Sequence, residues 1–191
     1  GAVSGTAIVE SAALSEDGAA LYDYWITAEG VSQLADTYSE AKAAAEATGN
    51  STAMAAAEGI ERDTGGTPVE CPLAYQRRSP ALHAAQMQLG GIQAATVIHP
   101  VNDGLVPHNQ GREMAGALTT AGIATQFFTV VGIPEGQNPG TTGTGTLGAG
   151  EADSTLNLAG HGSEADANHP VMRTAFEQLR KMLDGQYNTE V

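Results

Sequence analysis

Asp103 and His161 each stand just past an apolar, β-branched run, and an acid and an imidazole placed that way can do acid–base chemistry together. The first run, Ala94 to Ile98, stops at His99-Pro100 and leads into a turn that carries Asp103; a helical pattern follows. The second, Thr125 to Val131, is followed by the next ionisable loop, Leu158-Ala159-Gly160-His161-Gly162. An acid after one buried strand and a His after the next fall on the same C-terminal edge of a parallel sheet. Such a pair makes a hydroxyl nucleophilic: the imidazole takes its proton, and the carboxylate fixes the tautomer and steadies the imidazolium. His161 titrates near neutrality by default, and the glycines beside it let the backbone present its ring. For Asp103 the structural alternative is a turn carboxylate that caps the next helix.

The partner such a pair would activate is absent. No Gly-x-Ser-x-Gly occurs in the chain. Ser4, in Ala2-Val3-Ser4-Gly5-Thr6, lacks the first glycine and has no strand before it, and the strained strand-to-helix turn needs that strand. Among the other histidines, His99 reads as a structural residue at a strand end, His108 and His169 as helix-start residues near polar surface, and His83 as a helical residue with no ligand partner at i+4. No His/Cys/Asp/Glu grouping has zinc spacing, and Asp153, Glu164 and Asp166 do not fit a calcium loop. Gly143-Thr144-Gly145-Thr146-Leu147-Gly148 matches a dinucleotide fingerprint in letters only, since neither a strand before it nor a helix after it supports the match. No metal and no cofactor are therefore expected.

Elements that could hold the pair follow from periodicity. Residues 1–13 have helical spacing, Leu21 to Thr27 alternates as a strand, and Val31 to Ile60 reads as two Ala-rich helices broken near Gly49-Asn50. Asp63 to Pro68 reads as a loop. Ser79-Pro80 starts a helix that runs to Leu89 and closes at Gly90-Gly91. A helix over 109–121 separates the Ala94 and Thr125 strands. The stretch 133–157 is a Gly/Thr-rich loop insertion, too poor in apolar residues to fold as an element. The last helix begins at Pro170, with Met172, Ala175, Phe176, Leu179, Met182 and Leu183 as its apolar stripe. Strands alternating with helices give an α/β fold with a parallel sheet covered by helices. Three strands are few for 191 residues, so further strands are expected from an N-terminal part.

Composition narrows the partners. Twenty-two acids against eight bases leave a formal charge of -14, which argues against nucleic acid and against an anionic membrane surface. No apolar run reaches the roughly 20 residues of a membrane span. The same acidic, Ala/Gly/Thr-rich composition suits an extracellular or cell-surface protein. The single cysteine, Cys71, cannot close an internal disulfide and reads as a buried thiol. The start at Gly1 suggests a processed or trimmed product.

The chain resembles the C-terminal half of an α/β-hydrolase, and within that fold the prolyl-oligopeptidase-like serine hydrolases. In that family the acid follows a strand in a phrase of the form His-Gly-x-x-Asp-x-x-Val-Pro, which here reads His99-Pro100-Val101-Asn102-Asp103-Gly104-Leu105-Val106-Pro107. The base lies in a Gly-His loop, here Gly160-His161-Gly162, and Arg78-Ser79-Pro80 matches the family's Ser-Pro helix start. Pro100 departs from the family's Gly. The likeness covers residues 70–185 well and 1–35 loosely. It implies a single, incomplete α/β-hydrolase unit over 1–191, with 31–89 as a helical lid-like insertion or, alternatively, as helices simply packed on the sheet. It makes Asp103 and His161 the acid and base of a triad, and assigns nucleophile, oxyanion hole and remaining strands to an N-terminal part or a separate chain. The reaction implied is hydrolysis of an ester or peptide bond in a small acyl substrate. The alternative is a non-catalytic protein of the same fold used for binding or assembly.

Overall fold

In the computed structural model the described residues are 23–132, 160–162 and 167–186. They comprise strands β1 (Tyr24–Ala28), β2 (Ala94–Pro100) and β3 (Ala124–Val130), and helices α1 (Leu34–Thr48), α2 (Ser51–Thr64), α3 (Pro72–Arg77), α4 (Ala84–Leu89), α5 (His108–Thr120) and α6 (Pro170–Leu183). A single 3-10 segment, Pro80–His83, precedes α4. The expected helix over 1–13, the 133–157 loop, Ser4, Asp153, Glu164 and Asp166 lie outside the described residues. No described helix is long and apolar enough to cross a membrane.

The strands form one parallel sheet in the order β1-β2-β3. All seven residues of the central strand β2 are buried, which is why Ala94 to Ile98 reads as a continuous apolar run instead of an alternation. The register aligns Ala28 with Ile98 and Ile98 with Phe128. The three strands therefore release their chains at one edge.

Two apolar clusters fix that edge. Trp25, Met87, Ile92, Val97, Met114 and Leu118 join the sheet to α4 and α5. Val31, Leu34, Tyr38, Tyr75 and Val106 form the second, which anchors the turn after β2 to α1 and α3. The N-terminus of α1 has no cap of its own, because Gln33 offers no capping side chain. Distant residues supply it: Gln110 Oε1 accepts from the N–H groups of Ser32 and Gln33, and Ser79 Oγ accepts from Leu34 N–H. Ser79 in turn donates to Tyr75 C=O, so the Arg78-Ser79-Pro80 motif joins α3, the 3-10 segment and α1.

Several elements differ from the sequence expectation. The expected 79–89 helix is a 3-10 segment followed by α4, and α3 fills a stretch that carries no clear helical period. Cys71 is half-buried at the start of α3, where the sequence suggested a buried thiol. On α6 the buried residues are Val171, Gln178 and Met182, while Phe176, Leu179 and Leu183 are exposed. At 100° per residue the face that meets β1 and β2 lies about a quarter-turn from the centre of the apolar stripe.

Candidate active site

The turn after β2 is organised around the Asp103 side chain, which is fully buried. Its Oδ1 accepts from Leu105 N–H (2.8 Å) and Val106 N–H (2.9 Å), the local pattern by which Asp folds a turn onto itself. Its Oδ2 accepts from His161 Nδ1–H at 2.8 Å. An ionised carboxylate only accepts, so Nδ1 carries the proton and the free lone pair is that of Nε2. The turn carboxylate of the structural alternative and the acid of the pair are thus one group, one oxygen serving each role.

His99 is also at this carboxylate. Its ring is fully buried, with Nε2 3.4 Å from Asp103 Oδ2. Nε2–H donates to Val106 C=O at 2.9 Å, while Nδ1 is buried without a partner. The strand-end structural reading of His99 describes its burial and misses its contact with Asp103. Gly111 of α5 makes room for the ring: a Cβ there would lie 2.6 Å from His99 Cβ and 2.7 Å from Nδ1. Gly111→Ala is therefore expected to destabilise the protein by about 1–3 kcal/mol through overpacking, read by thermal unfolding. An unchanged melting temperature would mean that α5 can move off His99 freely.

His161 is held by a different set of contacts. Asn102 Oδ1 accepts from Gly132 N–H (2.7 Å), and His169 Nε2–H donates to Gly132 C=O (2.7 Å), which ties the end of β3 to the turn after β2 and to the start of α6. His169 caps α6 through Nδ1, which accepts from Val171 N–H at 3.3 Å. Glycines flank His161 because neighbours approach both sides. A Cβ at Gly160, whose φ is 79°, would lie 2.3 Å from Asn102 O, and one at Gly162 would lie 2.8 Å from His169 Nδ1. Gly162 N–H donates to Glu29 Oε1 at 2.6 Å. Glu29, directly after β1, is buried at 7% exposure.

The electrostatics follow from these contacts. Burial alone would raise the Asp103 carboxyl, yet the hydrogen bond from His161, the adjacent His99 ring, the His161 charge and the Val106 N–H together hold it well below the usual carboxylate range. Burial pulls the His161 imidazole down, while its bond to Asp103 and the charges of Asp103 and Glu29 outweigh that and raise it. Burial pushes the Glu29 carboxyl up. Donor atoms of Glu29, Asp103 and His161 all lie within 4.8 Å of one another. Both oxygens of Asp103 and one of Glu29 already accept N–H groups, and His161 Nδ1 points its proton at Asp103. Glu29 and Asp103 thus place two carboxylates around one imidazole.

The comparisons with known proteins are sparse. No family model matches the chain, and no curated protein does. Two solved structures are similar in part: the uncomplexed acylaminoacyl peptidase of Pyrococcus horikoshii, and an acylaminoacyl peptidase in complex with Z-Gly-Gly-Phe-chloromethyl ketone. Each is 17% identical with a TM-score of 0.44, over 66% of this chain. The chain spans only 17% of their length.

The structure brings together the two residues that the sequence singled out, 58 positions apart. Glu29, Asn102 and His169, which complete their surroundings, carry no local signal that reaches the site. Among the described residues no hydroxyl or thiol is hydrogen-bonded to His161.

Proposed function

We propose that this chain supplies the acid and the general base of a serine hydrolase of the α/β-hydrolase fold, which cleaves an ester or peptide bond by acyl transfer to water. The observation that carries the reading is the 2.8 Å contact between His161 Nδ1 and Asp103 Oδ2, at the edge where the parallel strands end. The nucleophilic serine, the oxyanion donors and further strands come from an N-terminal part or a separate chain.

In this scheme His161 Nε2 accepts the proton of the serine hydroxyl as Oγ bonds to the carbonyl carbon. The imidazolium formed is stabilised by Asp103, which stays ionised. Nε2 then returns the proton to the leaving alcohol or amine as the C–O or C–N bond breaks. Water repeats the sequence on the acyl ester, giving up one proton to Nε2 and releasing the acid and the free serine. A cavity of about 180 Å³ adjoins the turn after β2, lined by Leu105, Pro107 and alanines of α1 and α2 together with the polar side chains of Thr37, Glu40 and Asn50.

A serine-reactive phosphonate tests the proposal. The intact assembly is expected to hydrolyse small activated acyl esters and to be titrated by the reagent, with the label, located by mass spectrometry, outside these 191 residues. The lack of a Gly-x-Ser-x-Gly in the chain favours one second reading, a non-catalytic protein of the same fold. An assembly that never reacts with the phosphonate would establish that reading. A label on Ser4 would place the nucleophile within the chain instead.

A further inference from the structure

Glu29 is a buried acid at this sheet edge with no part in the scheme above. Among the described residues it is the single non-glycine with positive φ, 57°, a conformation that an L-residue other than Gly, Asn or Asp seldom adopts. Its own N–H donates to Ile98 C=O at 2.9 Å, so the backbone is pinned to β2 while the side chain turns inward. There Oε1 takes the N–H of Gly162, and a Cβ on Gly162 would lie 3.0 Å from Oε2. The chain thus holds a carboxylate in an unusual backbone conformation, under cover, against the residue that follows the base.

We propose that Glu29 is a positioning residue for His161: it fixes the turn that carries the imidazole through Gly162 N–H and sets a second negative charge beside the ring. This rests on reading Asp103 and His161 as an acid–base pair. Two carboxylates from two strands would then share one imidazole. Asp103 orients the ring through Nδ1, and Glu29 orients the backbone beneath it. Among the described residues, the groups that face this site are Asp103 and His99 from β2 and its turn, Glu29 from the end of β1, and His169 from the start of α6. An anion at Glu29 favours the imidazolium, so removing it lowers the pH at which His161 loses its proton.

The test is the midpoint of His161, followed by NMR of histidine-labelled protein in its intact assembly. Glu29→Gln keeps an oxygen for Gly162 N–H and removes the charge. It is expected to lower the midpoint by about one pH unit, and Asp103→Asn to lower it further. The acid limb of the pH–rate profile should move by the same amount. A folded Glu29→Gln protein with an unchanged midpoint would overturn the proposal, because a purely structural bond to Gly162 leaves the charge without effect. Should Glu29→Gln not fold, the wild-type protein gives the same answer. The labelled Glu29 carboxyl and the His161 ring should each show the other's titration step, and two independent single-step curves would refute the coupling. The measurement needs no turnover. If the hydrolase reading fails, the phosphonate does not react and the midpoint shift remains; if the Glu29 proposal fails, the phosphonate reacts and the shift is missing.

Discussion

His161→Ala is expected to lower turnover of the intact assembly by about 10³- to 10⁵-fold while the protein still folds. The size of the loss follows from what the imidazole does. Without Nε2 no group takes the serine proton as the nucleophile attacks, and none returns it to the leaving group. Binding contacts and oxyanion donors survive, so a residual rate above that of water remains. Folding survives because the ring is partly exposed and its hydrogen bond is to Asp103. Asp103 keeps the Leu105 and Val106 N–H groups and the nearby His99 when that bond is lost. The backbone there keeps its bond from Gly162 to Glu29. Steady-state kinetics on an activated ester, with a thermal melt as control, decide the matter. Turnover within about threefold of wild type, from a folded variant, would remove His161 from the reaction.

The sheet was legible because its strands have strong local signals. Ala94 to Ile98 is apolar throughout, as a strand covered on both faces must be, and the break between α1 and α2 falls at Gly49-Asn50, where an Ala-rich pattern is interrupted. Asp103 and His161 were legible because each follows such a strand, and parallel strands must end at the same edge. The rest of the site depends on contacts with no counterpart in local sequence. Glu29 meets Gly162 across 133 positions, and nothing near Ala28-Glu29-Gly30 marks a buried acid. His169 reads as a helix start near polar surface, and it does cap α6, but it is buried; its donation to Gly132 depends on how the end of β3 meets α6. The same cause explains α6, whose stripe records hydrophobicity but whose rotation is set by where β1 and β2 lie.

Asp103→Asn is expected to reduce turnover by about 10⁴-fold, and the hydrogen bonds show why a nearly isosteric change should do so. An amide has one acceptor atom where the carboxylate has two. If that oxygen stays with the Leu105 and Val106 N–H groups, the amide NH₂ faces His161 Nδ1 and the ring must accept there. Its proton then moves to Nε2, and the lone pair that should receive the serine proton is gone. If the amide flips, Nδ1–H keeps an acceptor and two backbone N–H groups face an NH₂ instead, which costs about 1–3 kcal/mol of stability. Either arrangement loses the charge that stabilises the imidazolium. The stability difference between wild type and variant should also depend on pH. Asp103 is held below its ordinary value of 3.8, so its contribution is present above that value and is lost as pH falls through the depressed one. His161 is raised above 6.5, so its contribution is complete below 6.5 and is lost as pH rises through the raised value. The difference should thus be largest between about pH 4 and 6.5 and shrink on both sides. Unfolding by denaturant across that range measures it. A pH-independent difference would mean that the two groups do not interact as a charged pair, and the acid–base assignment would fall with it.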